Sequence, residues 1–183
     1  MSVIDNIIHK GRMIKKVGLD TDVIIALIDD LNQFSMFKPK IFNRNNAIFI
    51  NYRVFSELMG HLINNRNFSN EESVNKIFSY LRENRILLLK KSNTDIVKLN
   101  EIIEGLRKQR DVQKNLAGDK DLEIISIYKF HKMDLIFSRN SGHFEPFCKY
   151  LGITFMKLQD NVDVMWKQAF GWKYRRKIKY NKR

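Results

Sequence analysis

A single cysteine, Cys148, leaves the 183-residue chain with no internal disulfide framework and no thiolate cluster for zinc. Two prolines and eight glycines, with no low-complexity run, exclude collagen-like and wholly disordered readings. No stretch approaches the roughly 18 uninterrupted apolar residues that suggest a membrane span. The opening MSVIDNIIHKGRMIKK breaks its short apolar runs at Asp5, His9 and Lys10, so it does not read as a signal peptide. Together these absences predict no membrane span, no signal peptide and a reducing, cytoplasmic setting, with no membrane expected as partner. The four histidines (9, 61, 131 and 143) form no H-E-x-x-H or His/Cys zinc pattern, and there is no Walker loop and no G-x-G-x-x-G. Nucleotide-cofactor chemistry therefore has no support.

The chain does have apolar material, at 44% hydrophobic residues, enough for one domain with a buried core. It also has positive charge, 33 Lys or Arg against 20 Asp or Glu. Residues 166–183 (WKQAFGWKYRRKIKYNKR) hold eight of those cations and none of the acids, which leaves +5 for residues 1–165. The reading is a folded domain over 1–165 and a basic aromatic tail over 166–183. In the tail, Trp166, Phe170, Trp172, Tyr174 and Tyr180 lie among the cations. That mixture suits a polyanion whose bases offer faces for stacking, which points to nucleic acid, with RNA contacts expected from Lys173, Arg175, Arg176, Lys177 and Lys179. A solubilising or disordered tail is the plainer reading, and binding at an anionic membrane surface is a further alternative.

Along the chain, short apolar runs alternate with helical patterns. A strand at 17–20, a turn at 20–22 and then a helix are expected. Loop material with Pro39 fills 32–46, followed by the apolar run AIFIN ending at Asn51. Residues 52–64 carry Phe55, Leu58, Met59 and Leu62 at helical spacing. Ser69 and Glu72 form a capping box ahead of the stripe Val74, Ile77, Phe78 and Leu81. The run 86–89 (ILLL) reads as a buried parallel strand. A charged helix over 94–116, a break at 117–119, a helix over 120–132 and a strand over 134–138 follow. Then come a loop through Phe144, a helix over 145–151 that tolerates Pro146 in its first turn, and a last strand over 153–158. Helices between short apolar strands imply a three-layer α/β/α domain with a mostly parallel central sheet, whose site lies beyond the carboxyl ends of the strands.

Several polar residues fall at that edge or on inward helix faces. Asp20 ends the first strand; Ser138 and Asn140 end the strand over 134–138. Asp121 precedes Ile124, Ile125 and Tyr128 by three, four and seven residues and so heads their apolar face. Glu57 borders the stripe that contains Val54 and Leu58. Carboxylates gathered without Lys or Arg partners repel one another, and Mg²⁺ or Mn²⁺ fits an oxygen-only ligand set. Such ions support phosphodiester hydrolysis. Singly, each residue has a plainer role: Asp20 and Asp22 as turn and N-cap residues, Asp119 as an N-cap, Glu57 as an exposed helix residue, Ser138 and Asn140 as turn-formers. His61, four residues after Glu57, reads as a neighbour of the site or as plain surface. Cys148, which shares a face with Phe144, Phe147 and Leu151, reads as core.

The segments LDTDVIIAL (19–27), RVFSELMGHL (53–62), GDKDLEIISIY (118–128) and LIFSRNSGHF (135–144), in that order, resemble the PIN-domain family, which includes the VapC-type toxins and several RNA-processing nucleases. The resemblance spans roughly residues 16–158. It implies that Asp20, Glu57 and Asp121 are the catalytic, metal-binding acids, that Asn140 stands in the place of a fourth acid, and that Ser138 is the neighbouring hydroxyl. Asp22 and Asp119 are supporting residues, and Arg139 a phosphate contact. The implied function is Mg²⁺- or Mn²⁺-dependent hydrolysis of RNA in a toxin or an RNA-processing enzyme. The implied partners are RNA, an antitoxin protein for a toxin, and a second copy in a homodimer. Two departures stand out. Asn140 replaces a carboxylate common in the family, leaving less negative charge and one well-held ion instead of two. Ile124-Ile125-Ser126 replaces smaller residues. The alternative is a non-catalytic PIN-like nucleic-acid-binding protein; a DNA-directed nuclease is more remote.

Overall fold

The computed structural model describes residues 14–29 and 38–158. The basic segment with Lys173, Arg175, Arg176, Lys177 and Lys179 lies outside the described residues, as does the proposed boundary at 165/166. The elements run β1 (Lys15–Leu19), α1 (Thr21–Asp29), α2 (Lys38–Ile41), β2 (Asn46–Asn51), α3 (Tyr52–Arg66), α4 (Asn70–Glu83) and β3 (Ile86–Leu89). A 3-10 turn (Lys91–Asn93) leads into α5 (Ile96–Gln113), α6 (Asp119–Phe130), β4 (Leu135–Ser138), α7 (Ser141–Leu151) and β5 (Thr154–Lys157).

Among the described residues the five strands are all parallel, in the order β3-β2-β1-β4-β5. The chain winds outward from β1 through β2 to β3, then returns to the other side of β1 with β4 and β5. The winding reverses between β1 and β4, and at such a point the loops beyond the two carboxyl ends diverge and leave a crevice. Asp20 and Ser138 stand there. The β1 ladder runs one step past the strand, with Asp20 N–H donating to the Phe137 carbonyl at 3.0 Å.

Burial follows from the layers. Val17 and Leu19 of β1 and Ile136 and Phe137 of β4 are covered on both faces. In α6 six of seven residues from Leu122 to Tyr128 are buried, so the helix is central and nearly apolar all round. The Tyr128 ring crosses β1 where only glycine leaves room. A Cβ on Gly18 would meet ring carbons at 2.9 Å. The Tyr128 hydroxyl donates to the Leu19 carbonyl, with the Phe49 carbonyl at 3.4 Å. Buried Asn51 accepts from Arg53 and Val54 N–H, both at 3.0 Å, capping α3, and its amide donates to the Ile124 carbonyl at 3.3 Å. One side chain thus fixes α3 against α6.

The three-layer parallel architecture is the expected one, and the Ser69–Glu72 capping box is present in both directions, at 3.2 and 2.8 Å. Cys148 is buried, and burial pushes its thiol up to about 12, as befits a core residue and not a nucleophile. Five local expectations are corrected. Residues 38–41, expected as loop, form a helical turn. Phe78, expected inward, is 44% exposed beside Phe55, because Ser73 takes the inward place with Ile77 and Leu81. β3 is an edge strand with Leu87 40% exposed, not fully buried. The helix expected over 94–116 is narrower, because the 3-10 turn ends at Asn93 and Asp95 caps Ile96 and its followers.

The fifth correction touches the site. The stretch expected as loop before Glu145 is the first turn of α7, which Asn140 caps. Pro146 therefore lies inside the helix, where its missing N–H leaves the Gly142 carbonyl without its helical donor. Asn115 Nδ2 supplies the replacement at 2.8 Å. No helix among the described residues is long and apolar enough to cross a membrane.

Candidate active site

Asp20 is the residue between β1 and α1, only 6% exposed. Its Oδ1 accepts from Thr21 N–H and its Oδ2 from the Ser138 hydroxyl, both at 2.7 Å. Burial, the charge of Asp22 and, less strongly, that of Asp121 push its carboxyl well above the ordinary value, while the Ser138 and Thr21 hydrogen bonds pull the other way. Asp22 is raised as well, first by burial, and is held by the Arg139 backbone N–H at 3.1 and 3.2 Å. Helix α1 starts at Thr21, so Asp22 falls in its first turn, where a carboxylate also meets unpaired N–H groups.

Glu57 enters from α3, half-buried, and accepts a short hydrogen bond from Thr21 Oγ1. Asp121 enters from the first turn of α6. Its Oδ2 accepts from Gly118 N–H at 3.1 Å and lies 2.9 Å from His143 Nδ1. Asn140 presents its backbone N–H to Ser138 Oγ at 2.9 Å, and its side-chain oxygen accepts from His143 N–H at 3.3 Å. Arg139 is exposed beside Asp22.

The structure thus brings Asp20, Asp22, Glu57, Asp121, Ser138 and Asn140 to one end of the sheet through a continuous set of contacts. Asp119 stands apart. Gly118, not Asp119, is the N-cap of α6, so the N-cap expectation for Asp119 is corrected. Its carboxylate meets Arg110 Nη1 at 2.9 Å and Arg107 Nη2 at 3.5 Å, and the guanidiniums hold it below the ordinary value. His61 pairs its Nδ1 with Asn65 at 3.0 Å.

Two participants stand outside the site residues expected from the sequence. Thr21 is the link between Asp20 and Glu57. His143 lies in the stretch expected as loop; with Asn140 as the cap of α7, the N-x-x-H spacing sets the imidazole within the first helical turn, beside the cap.

Whether these residues suit a cation follows from their chemistry. The donors are oxygens, and Asp20 is in the repulsive field of two other acids while its own partners are a hydroxyl and a backbone N–H. A hard divalent ion relieves that repulsion. Among the described residues no three His, Cys, Asp or Glu approach closely enough to enclose an ion, so the acids line the crevice without forming a closed cage.

No family model matches the chain, and neither does any curated protein. Solved structures do. VapBC-1 from nontypeable Haemophilus influenzae aligns with a TM-score of 0.61 at 15% identity, over 78% of this chain and 98% of the other. VapBC2 from Rickettsia felis, bound to a DNA fragment from its promoter, gives 0.60 at 16%, over 79% and 99%. DNA-bound VapBC from Salmonella typhimurium gives 0.59 at 14%, over 80% and 100%. The matched chains are the VapC, PIN-domain components. At such identities the likeness speaks to architecture, and it agrees with the parallel sheet and its winding: this chain has the PIN-domain fold.

Proposed function

We propose that the chain is a metal-dependent ribonuclease of the VapC-like kind, hydrolysing RNA phosphodiester bonds at the crevice between β1 and β4. The observation that carries the reading is Asp20: a carboxylate buried at the carboxyl end of the central strand, raised by its own burial and by neighbouring acids. Asp20, Glu57 and Asp121 would hold Mg²⁺ or Mn²⁺, with Asn140 beside them. Such an ion supplies Lewis-acid polarisation of a phosphate oxygen and makes a bound water acidic enough to attack near neutral pH.

The chain's own residues do the positioning. Ser138 and Thr21 N–H orient Asp20, Thr21 Oγ1 orients Glu57, and the Arg139 backbone orients Asp22. Arg139 and the basic 166–183 segment would contact phosphates, raising affinity without reading sequence. β5 points its carboxyl end the same way, since Leu158 N–H donates to the Ser138 carbonyl at 2.9 Å, so the chain leaves the described domain beside the acids. The neighbours, solved as VapBC, support a partner antitoxin protein as part of the same reading, with its peptide in a groove leading to the acids.

The test is cleavage of labelled single-stranded and structured RNAs, with single-stranded DNA as comparison, in Mn²⁺ or Mg²⁺ and in EDTA. Metal-dependent cleavage of RNA is the expected result. Tight, salt-sensitive binding with no cleavage in either metal would instead favour a non-catalytic nucleic-acid-binding module. One observation favours that second reading: the Asn140 oxygen, in the place of the fourth acid, is engaged as the cap of α7.

A further inference from the structure

His143 is not one of the acids or their expected neighbours, yet its imidazole joins α7 to the Asp121 carboxylate. Nδ1 is 2.9 Å from Asp121 Oδ2 and 2.8 Å from Asn140 Nδ2. A ring nitrogen can donate or accept, not both. With the hydrogen on Nε2, Nδ1 would accept from the Asn140 amide, but Nδ1 and an ionised Oδ2 would then face each other as two acceptors at 2.9 Å. With the hydrogen on Nδ1, the Asn140 amide loses its acceptor and faces another donor at 2.8 Å, but the contact with Asp121 becomes a hydrogen bond to a charged acceptor, about twice as strong as the neutral one given up. The carboxylate, which can only accept, therefore decides the tautomer.

The consequence lies in which oxygen is engaged. Gly118 N–H and His143 Nδ1–H both go to Oδ2. One donor comes from the cap of α6, the other from the first turn of α7, and two donors on one oxygen fix the carboxylate's rotation. Its Oδ1 is then the oxygen available to a ligand. His143 is itself held, since its backbone N–H is the donor that the Asn140 cap satisfies. We propose that His143 is a positioning residue that orients Asp121 toward a divalent cation through Nδ1. In a site where an amide stands in the place of the fourth acid, it keeps a remaining carboxylate in ligating posture. The inference rests on the metal-site reading above and adds to it a residue and an atom.

The test is Mn²⁺ binding to the full-length protein, by calorimetric titration and by the loss of the free-ion paramagnetic resonance signal, for wild type, His143→Ala, His143→Asn and His143→Gln. Circular dichroism and thermal melts first establish that each variant is folded. Asn places its amide nitrogen near the position of Nδ1; Gln places its own near Nε2. Groups that orient metal ligands typically contribute 10–100-fold in affinity. His143→Ala is expected to weaken Mn²⁺ binding by about tenfold or more, and Asn to restore it to within about threefold of wild type, with Gln resembling Ala. A merely structural role would show in the melts and leave the Asn and Gln variants alike. Wild-type affinity in folded His143→Ala, or equal rescue by Gln and Asn, overturns the assignment of Nδ1. Absence of Mn²⁺ binding in wild type overturns the metal-site reading itself, and this inference with it.

Discussion

Asp119 and Asp121 sit two residues apart in the first turn of α6, yet they belong to regions that treat an acid in opposite ways. On the α5 flank, Asp119 is exposed and lies between two guanidiniums that hold its carboxyl low. Across the crevice edge, Asp121 joins Asp20 and Asp22, whose carboxyls are held high by burial and, for Asp20, by the other acids. A carboxylate neutralised by its own protein has no use for a further cation. Carboxylates that feel one another's charge in a half-dry crevice are destabilising until a cation arrives. The difference separates a surface ion pair from a candidate metal centre, although both are built from the same residue type on adjoining surfaces.

Among the groups that position the acids, the hydroxyl that holds Asp20 is expected to have the largest effect when removed. Ser138→Ala deletes the donor to Asp20 Oδ2 and the acceptor of Asn140 N–H, in a fully buried place. Cleavage is expected to fall by roughly 10–100-fold, as for a group that orients a ligand, and urea unfolding to report a loss of about 1–3 kcal/mol. Unchanged cleavage in a folded Ser138→Ala would show that Asp20 needs no positioning. Gly18→Ala acts on the scaffold without touching an acid. The added methyl meets the Tyr128 ring, whose hydroxyl is tied to the Leu19 carbonyl, so overpacking is expected to cost about 1–3 kcal/mol while cleavage per folded molecule is kept.

The two regions also differ in the sign of their pH dependence. Asp20 and Asp22 are raised, so the folded chain binds their protons more tightly than the unfolded chain does. Their contribution to stability falls as pH rises, through a window that opens at the ordinary value of 3.8 and extends upward. Asp119 is lowered, so its contribution is present above 3.8 and lost as pH falls below it. On going from about pH 7 to about pH 5, the melting temperature of wild type is expected to rise relative to that of Asp20→Asn, which lacks the largest of these raised groups. Parallel curves for the two proteins would remove the electrostatic basis of the site.

Most of the framework was legible in the sequence because strand and helix periods are local. The apolar runs at 48–50, 86–89 and 135–137, the Ser69–Glu72 box and the acid-headed stripe of α6 all carry their structure within a turn or two. What was not legible depends on partners distant in the chain. That Pro146 is tolerated inside α7 follows from Asn115, and that Gly18 is required follows from Tyr128. The face of Phe78 was lost to Ser73, a polar residue that no apolar pattern would have put inside. For the site, the acids were legible as heads of apolar faces. His143 was not, because its role appears only when the cap at Asn140 moves the start of α7 back to Ser141.

The measurement that tests the central claim most directly sets one aspartate from each region against the other: metal-dependent cleavage of one labelled RNA by wild type, Asp20→Asn and Asp119→Asn, all shown to be folded. Loss of the interactions of a metal-held transition state amounts to several kcal/mol, so Asp20→Asn is expected to lose on the order of 10³-fold in rate with RNA binding retained. Asp119→Asn, which breaks only surface ion pairs, is expected to cleave within about threefold of wild type. Full activity in Asp20→Asn, or equal loss in both variants, would contradict the assignment of the buried acid edge as the catalytic centre.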